Sequence, residues 1–149
     1  MSKEERKHIK VTYSTLASPD PLLHEYYEEG VKEAKENFGK VYPMYINGEE
    51  RFAEETFAKV SPIDTDLVLG YFQKGSVEDA NDAIEAAKAA FPAWKATPWQ
   101  ERIAIIRKAA DLMSERIYYM AAVMSIEIGK NRLEALGDVE ETADLLRYN

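Results

Sequence analysis

Leu23, Tyr27, Val31, Ala34 and Phe38 recur at intervals of three and four residues, which gives a helix one dry face. Ahead of them stands Ser18-Pro19-Asp20-Pro21. Asp20 is suited to the N-cap and Pro21 to the first helical position, where a missing N–H costs nothing. Gly39 is placed to end the helix in a left-handed cap, so the pattern predicts a helix over 20–38.

From Val41 to Lys74 the texture changes to short apolar runs broken by turn residues. Met44-Tyr45-Ile46 runs into Asn47-Gly48, the strongest short hairpin signal, and predicts a tight turn there. Phe57–Ser61 and Leu67–Phe72 form a second extended pair joined by Pro62-Ile63-Asp64-Thr65-Asp66. Residues 43–73 therefore read as two small hairpins.

Helical periodicity returns at Ser76, whose hydroxyl can cap the N–H of Asp79, and continues through Ala80, Ala83, Ile84, Ala87 and Phe91. Phe91-Pro92-Ala93-Trp94 should break this helix, and Thr97-Pro98-Trp99-Gln100 should start the next with a threonine cap and a capping-box glutamine. Ile103, Ile106, Ala110 and Met113 then share a face. A third helix is expected from about Ser114 to Ile128, carrying Ile117, Met120, Ala121 and Met124 and stopping at Gly129-Lys130. A fourth should begin near Leu133, with Leu136, Val139, Ala143 and Leu146 on one side. Its pattern is still running at Tyr148-Asn149, which reads as a helix that is interrupted or must dock on something else. The expected fold class is mainly α with small β-hairpins, an α+β arrangement, with helices across 76–149.

Composition narrows the partners. Apolar residues at 46% and charged residues at 31% of a 149-residue chain suit one globular unit or a piece of one. The division expected is a polar tail at 1–17 and a single unit at 18–149. A net charge of −8 repels phosphate backbones and anionic membranes, so nucleic acid and membrane are not expected partners. The polar start MSKEERKHIK has no apolar signal core, and a cytoplasmic location is the default expectation. With no cysteine, the chain has no thiolate nucleophile and no sulfur-ligated zinc.

Candidate chemistry is sparse. The seven glycines form neither a dinucleotide fingerprint nor a phosphate-cradling loop, and His8 and His24 stand far apart. Glu134, Asp138, Glu140, Glu141 and Asp144 share helix neighbours and read first as a solvated face. Trp94 and Trp99, flanking a proline turn, read as a packing plug between helix ends. Spacing alone thus yields a helical assembly without a self-contained active site.

Six pieces in order nevertheless carry a resemblance. Tyr42-Pro43-Met44-Tyr45-Ile46-Asn47-Gly48-Glu49, Val60-Ser61-Pro62-Ile63-Asp64-Thr65, the set Ala87, Ala90, Phe91 and Trp94, Glu101-Arg102, Glu127-Ile128-Gly129-Lys130 and Leu146-Arg147-Tyr148 together resemble the opening third of aldehyde dehydrogenases. The upstream helix running into Phe38-Gly39-Lys40-Val41-Tyr42-Pro43 is most similar to the 1-pyrroline-5-carboxylate dehydrogenase branch, which oxidises glutamate semialdehyde to glutamate in proline degradation. The resemblance implies the N-terminal part of an α/β cofactor-binding domain, with hairpins and helices that precede a Rossmann-like sheet. It also implies NAD or NADP as cofactor of the complete enzyme, a homo-oligomer when complete, and chemistry by a cysteine thiolate, hydride transfer and a glutamate base. None of the cofactor's binding residues is expected here, and no catalytic residue, because the chain has no cysteine.

Two residues carry over from the resemblance. Glu141, six residues before Arg147, matches a glutamate that contacts the substrate's amino group. Glu127, just ahead of Ile128-Gly129-Lys130, resembles a position near a structural monovalent-cation site. The leading expectation is an N-terminal fragment, inactive alone, whose partner is the remaining C-terminal part of the enzyme. The rival is a helical interaction module or one half of a split enzyme, binding a complementary chain through Leu136, Val139, Ala143 and Leu146. Apolar stripes left open on the last helix would make the isolated chain prone to association.

Overall fold

The computed structural model describes residues 9–18 and 20–148. His8 and Pro19 lie outside the described residues, as does Asn149. Among the described residues, six helices and five short strands follow in order: α1 (Tyr13–Ala17), α2 (Pro21–Lys35), β1 (Lys40–Tyr42), β2 (Met44–Ile46), β3 (Glu49–Arg51), β4 (Thr56–Val60), β5 (Val68–Gln73), α3 (Val77–Ala96), α4 (Trp99–Glu115), α5 (Ile117–Ile128) and α6 (Arg132–Tyr148).

The segment expected as a polar tail is partly structured. Thr12 and Thr15 form a reciprocal capping box on α1, and Val11 is buried in the core. The Asp20 carboxylate accepts from the Leu22 N–H at 3.0 Å and caps α2 as expected. That helix ends at Lys35, three residues early, because residues 36–38 tighten into turns. Gly39 does adopt a left-handed conformation (φ 74°), but it serves to swing the chain into β1.

Asn47 and Gly48 both take positive φ (56° and 79°), as the tight turn of the antiparallel β2–β3 hairpin requires. The second hairpin, β4–β5, also forms, but it belongs to a mixed three-stranded sheet in the order β1-β5-β4. Its parallel β1–β5 pairing, with Lys40 opposite Gly70, joins segments far apart in the chain and carries no local sequence signal. The Ser61 hydroxyl ties this sheet to the helices, donating to the Ile126 carbonyl at 2.6 Å and accepting from the Ile63 N–H at 3.2 Å.

Three helical expectations are corrected. First, α3 runs through Pro92 to Ala96. Proline removes one backbone donor, but residues 87–96 of this helix are exposed, so water can satisfy the carbonyl left over. Second, Thr97 does not cap α4. It closes α3 instead, its hydroxyl donating to the Ala93 carbonyl at 2.9 Å, and Pro98 takes the cap position of α4 without a side-chain bond. Third, Trp94 and Trp99 plug nothing: they are 43% and 60% exposed, and Trp94 carries the Arg102 guanidinium 6.0 Å from its ring centre. The break between α4 and α5 falls at Arg116, and the left-handed Gly129 (φ 78°) ends α5 as predicted.

The core sits where α2, α5 and α6 meet. Leu23, Leu136 and Val139 are fully buried there, with Ala121, Ala122 and Ala135 allowing close approach, and Tyr26 and Tyr118 pack edge to face at 5.4 Å. Leu136, Val139 and Ala143, expected as an open docking face, are therefore buried within the chain itself. Large apolar side chains stand exposed on α3 and α4, on the strands and turns at Tyr45, Phe52 and Ile63, and near the end of α6 at Leu145 and Tyr148.

Ser76 and Asp79 make the expected reciprocal cap at the start of α3. The Ser76 backbone N–H, then its hydroxyl, then Arg51 lower the Asp79 carboxyl below its usual value. A depressed carboxyl contributes stability above its unfolded pKa of about 4 and loses it as pH falls through the lower folded value. Asp79→Asn should therefore weaken the chain at pH 7, and the difference from the parent should shrink on acidification below about pH 4. Urea midpoints at the two pH values measure this; an equal difference at both would contradict it.

Candidate functional site

One side of α6 and residues 11–12 ahead of α1 enclose an open cleft of about 930 Å³. Its floor is apolar, from Val11, Leu133 and Leu145, and its wall is acidic, from Glu134, Asp138, Glu140, Glu141 and Asp144. The carboxylates read from the sequence as a solvated face thus line a concave surface. They are set there by α6, whose first turn is capped by the Asn131 side chain accepting from the N–H groups of Leu133 and Glu134.

Two cations organise the wall. The Lys130 ammonium pairs with Asp138, and this hydrogen bond raises it above the ordinary lysine value, with the fields of Glu134 and Glu141 adding to the effect. Arg147 reaches Asp144 at 3.0 Å, Glu140 at 3.3 Å and the Ser114 hydroxyl at 2.8 Å, so it fastens α6 to α4 behind the cleft. Partial burial works against its charge, and the surrounding carboxylates outweigh that and hold it charged. Neither cation was singled out by sequence reasoning as part of a site; the only available signal was the spacing of Lys130 and Arg147 from the acidic run.

Glu141 is exposed on this wall, and its field reaches the Lys130 ammonium. Glu127 lies elsewhere, on α5 beside β4, with its carboxylate 3.8 Å from the Lys59 ammonium. The two residues carried over by resemblance are therefore not brought together. Among the described residues, no group of three or more His, Cys, Asp or Glu side chains is placed to hold a metal ion. His24 packs beside Arg132, whose guanidinium lies 4.7 Å from the centre of the Tyr27 ring and binds Glu28 at 2.6 Å.

The N-termini of three of the long described helices are already closed by side chains. Helix N-termini offer N–H groups to phosphate, but those of α2, α3 and α6 are taken by Asp20, by Ser76 with Asp79, and by Asn131. The remaining long helices begin without a glycine turn, α4 behind Pro98 and α5 at Arg116. No described helix is long and apolar enough to cross a membrane.

Comparison with known proteins adds the frame. Residues 49–149 match the aldehyde dehydrogenase family. The chain is 33% identical over 124 residues to a 1-pyrroline-5-carboxylate dehydrogenase of Staphylococcus saprophyticus, covering 83% of this chain and 24% of that protein. It is 35% identical over 124 residues to 1-pyrroline-5-carboxylate dehydrogenase 2 of Bacillus subtilis, with the same shares. Among solved structures, a Thermus thermophilus 1-pyrroline-5-carboxylate dehydrogenase variant superposes with a TM-score of 0.86 at 32% identity, over 99% of this chain and 28% of that one. A Thermus enzyme of the same name with bound NAD gives a TM-score of 0.85 at 31% identity, over 99% and 28%. The architecture matches an N-terminal portion of that fold, and the chain spans about a quarter of the length of these relatives.

Proposed function

Because the chain belongs to the aldehyde dehydrogenase family, we infer that it forms the first part of a 1-pyrroline-5-carboxylate dehydrogenase, oxidising glutamate semialdehyde to glutamate with NAD once the rest of the enzyme is joined to it. The observation that carries this reading is the similarity to enzymes of that name, which extends over 83% of the chain and includes the segment upstream of the general family match. The partner is then the remaining, longer portion of the enzyme, and NAD is a cofactor of the whole. The chain by itself contains no sulfur nucleophile other than methionine thioethers, which cannot form the thiohemiacetal such oxidation requires.

The contribution of these residues is to substrate placement. A wall that already stabilises the Lys130 ammonium is suited to a second ammonium, and Glu141 is the carboxylate we assign to the substrate's amino group. The test has two arms. The chain alone, given NAD and 1-pyrroline-5-carboxylate, should form no NADH. Exchanged for its counterpart in the Thermus thermophilus enzyme, it should support oxidation of that substrate, and Glu141→Gln in the exchange should raise KM about tenfold, the loss of one charge-assisted hydrogen bond, with kcat little changed. Turnover by the chain alone, or an exchange that prefers aldehydes without an amino group, would overturn the reading.

A further inference from the structure

The acidic wall of the cleft is a ladder with a cation at its middle. Glu134, Asp138 and Glu141 fall at i, i+4 and i+7 along α6, so they stand on one helix face about a turn apart, and all three line the cleft. Asp138, the central rung, is paired with the Lys130 ammonium, which enters from the turn between α5 and α6 just after the left-handed Gly129. The two side chains are 36% and 37% exposed, so the pair stands at the cleft surface and is partly screened by water. Glu140 and Asp144 are held separately, by Arg147. Among the described residues, Glu134 and Glu141 have no direct ion-pair partner and reach Lys130 only through their fields.

Each half of the central pair keeps the other from interfering with Glu141. A bare carboxylate at Asp138 would stand one turn from Glu141 and offer an incoming ammonium a second, competing partner; Lys130 cancels it. A bare Lys130 ammonium would turn to Glu141 and occupy it; Asp138 holds it away. We propose that Lys130 and Asp138 are a positioning pair for the substrate's amino group, leaving Glu141 as the one carboxylate at its level of the wall that can receive it. The inference rests on the assignment of Glu141 made above and extends it to two residues that act through Glu141. Glu134, the other unpaired carboxylate, does not share the bound group: it lies about 10 Å away along the helix axis, with the Lys130–Asp138 pair between them.

In the exchange with the Thermus thermophilus enzyme, the two halves of the pair should act with opposite sign. Lys130→Gln frees Asp138 and should lower KM for glutamate semialdehyde about threefold, the scale of one partly exposed charge pair, while kcat falls because the ammonium divides between two carboxylates. Asp138→Asn frees Lys130 to compete for Glu141 and should raise KM by about the same factor. Neither change should move KM for glutarate semialdehyde, which keeps the carboxylate and lacks the amino group. A clamp that only fastens the turn between α5 and α6 would impair both variants in the same direction with both substrates. That result, or a KM for both acids raised by Lys130→Gln, as direct contact of Lys130 with the substrate's carboxylate would give, would overturn the proposal. Should one variant lose its helical circular dichroism, the sign of the other decides. Glu141→Gln keeps the two readings apart: if it leaves KM unmoved, the assignment of Glu141 fails, whereas if it raises KM and the two variants of the pair do not diverge, only the role of the pair does.

Discussion

Gly30→Ala is expected to destabilise the chain by about 1–3 kcal/mol, although alanine is the better helix former. Gly30 lies inside α2, where propensity alone would make alanine about 1 kcal/mol more favourable. The opposing term is contact with backbone. A Cβ built on Gly30 would stand 2.5 Å from the Tyr118 carbonyl oxygen and 2.6 Å from its carbon, inside any permissible separation. Neither atom belongs to a flexible side chain, so α2 and α5 must move apart. That movement opens the layer in which Ala121 and Ala122 are fully buried and disturbs the edge-to-face Tyr26–Tyr118 pair. Urea unfolding at one fixed protein concentration measures the change. A variant more stable than the parent would mean that the two helices do not approach so closely.

Gly30 also shows where sequence reading stops. It falls within the periodic run from Leu23 to Phe38, and nothing local distinguishes a glycine required by a neighbour from one merely tolerated. Signals that act within a few residues were legible: the Asp20 cap, the Asn47-Gly48 turn, the Ser76–Asp79 box and the Gly129 stop all appear where chemistry predicts them. Features decided across the chain were not. The β1–β5 pairing depends on a partner some thirty residues away, and Pro92 is tolerated because the helix around it faces water. Local rules also misplaced Thr97: the same hydroxyl that could open α4 instead bonds back to Ala93 and closes α3. For the candidate site, the sequence supplied the acidic residues, but their arrangement along a cleft, with Lys130 and Arg147 among them, required the packing of α6 on α4 and α1. Most instructive is that α3 and α6 carry similarly spaced apolar positions, and only the tertiary structure tells which stripe is covered.

That distinction makes α6 the place for the largest stability effect. Leu136→Ala is expected to cost about 2–5 kcal/mol, the range for deleting a fully buried leucine side chain into a core that cannot collapse around it. Leu136 has no exposed surface and belongs to the cluster formed by α2, α5 and α6, with Ala135 and Val139 beside it. Against a total of about 5–15 kcal/mol for a domain, such a loss would remove a large share of the stability. Leu145→Ala on the same helix is the control: Leu145 is 55% exposed on the cleft side, and its truncation should shift stability by no more than about 0.5 kcal/mol. If the stripe of α6 instead awaited another polypeptide, both truncations would be nearly neutral in the isolated chain, and the loss would surface only on binding. A small effect at Leu136 would thus reopen α6 as a docking face, whereas a large one at Leu136 with little at Leu145 assigns the stripe to the chain's own core.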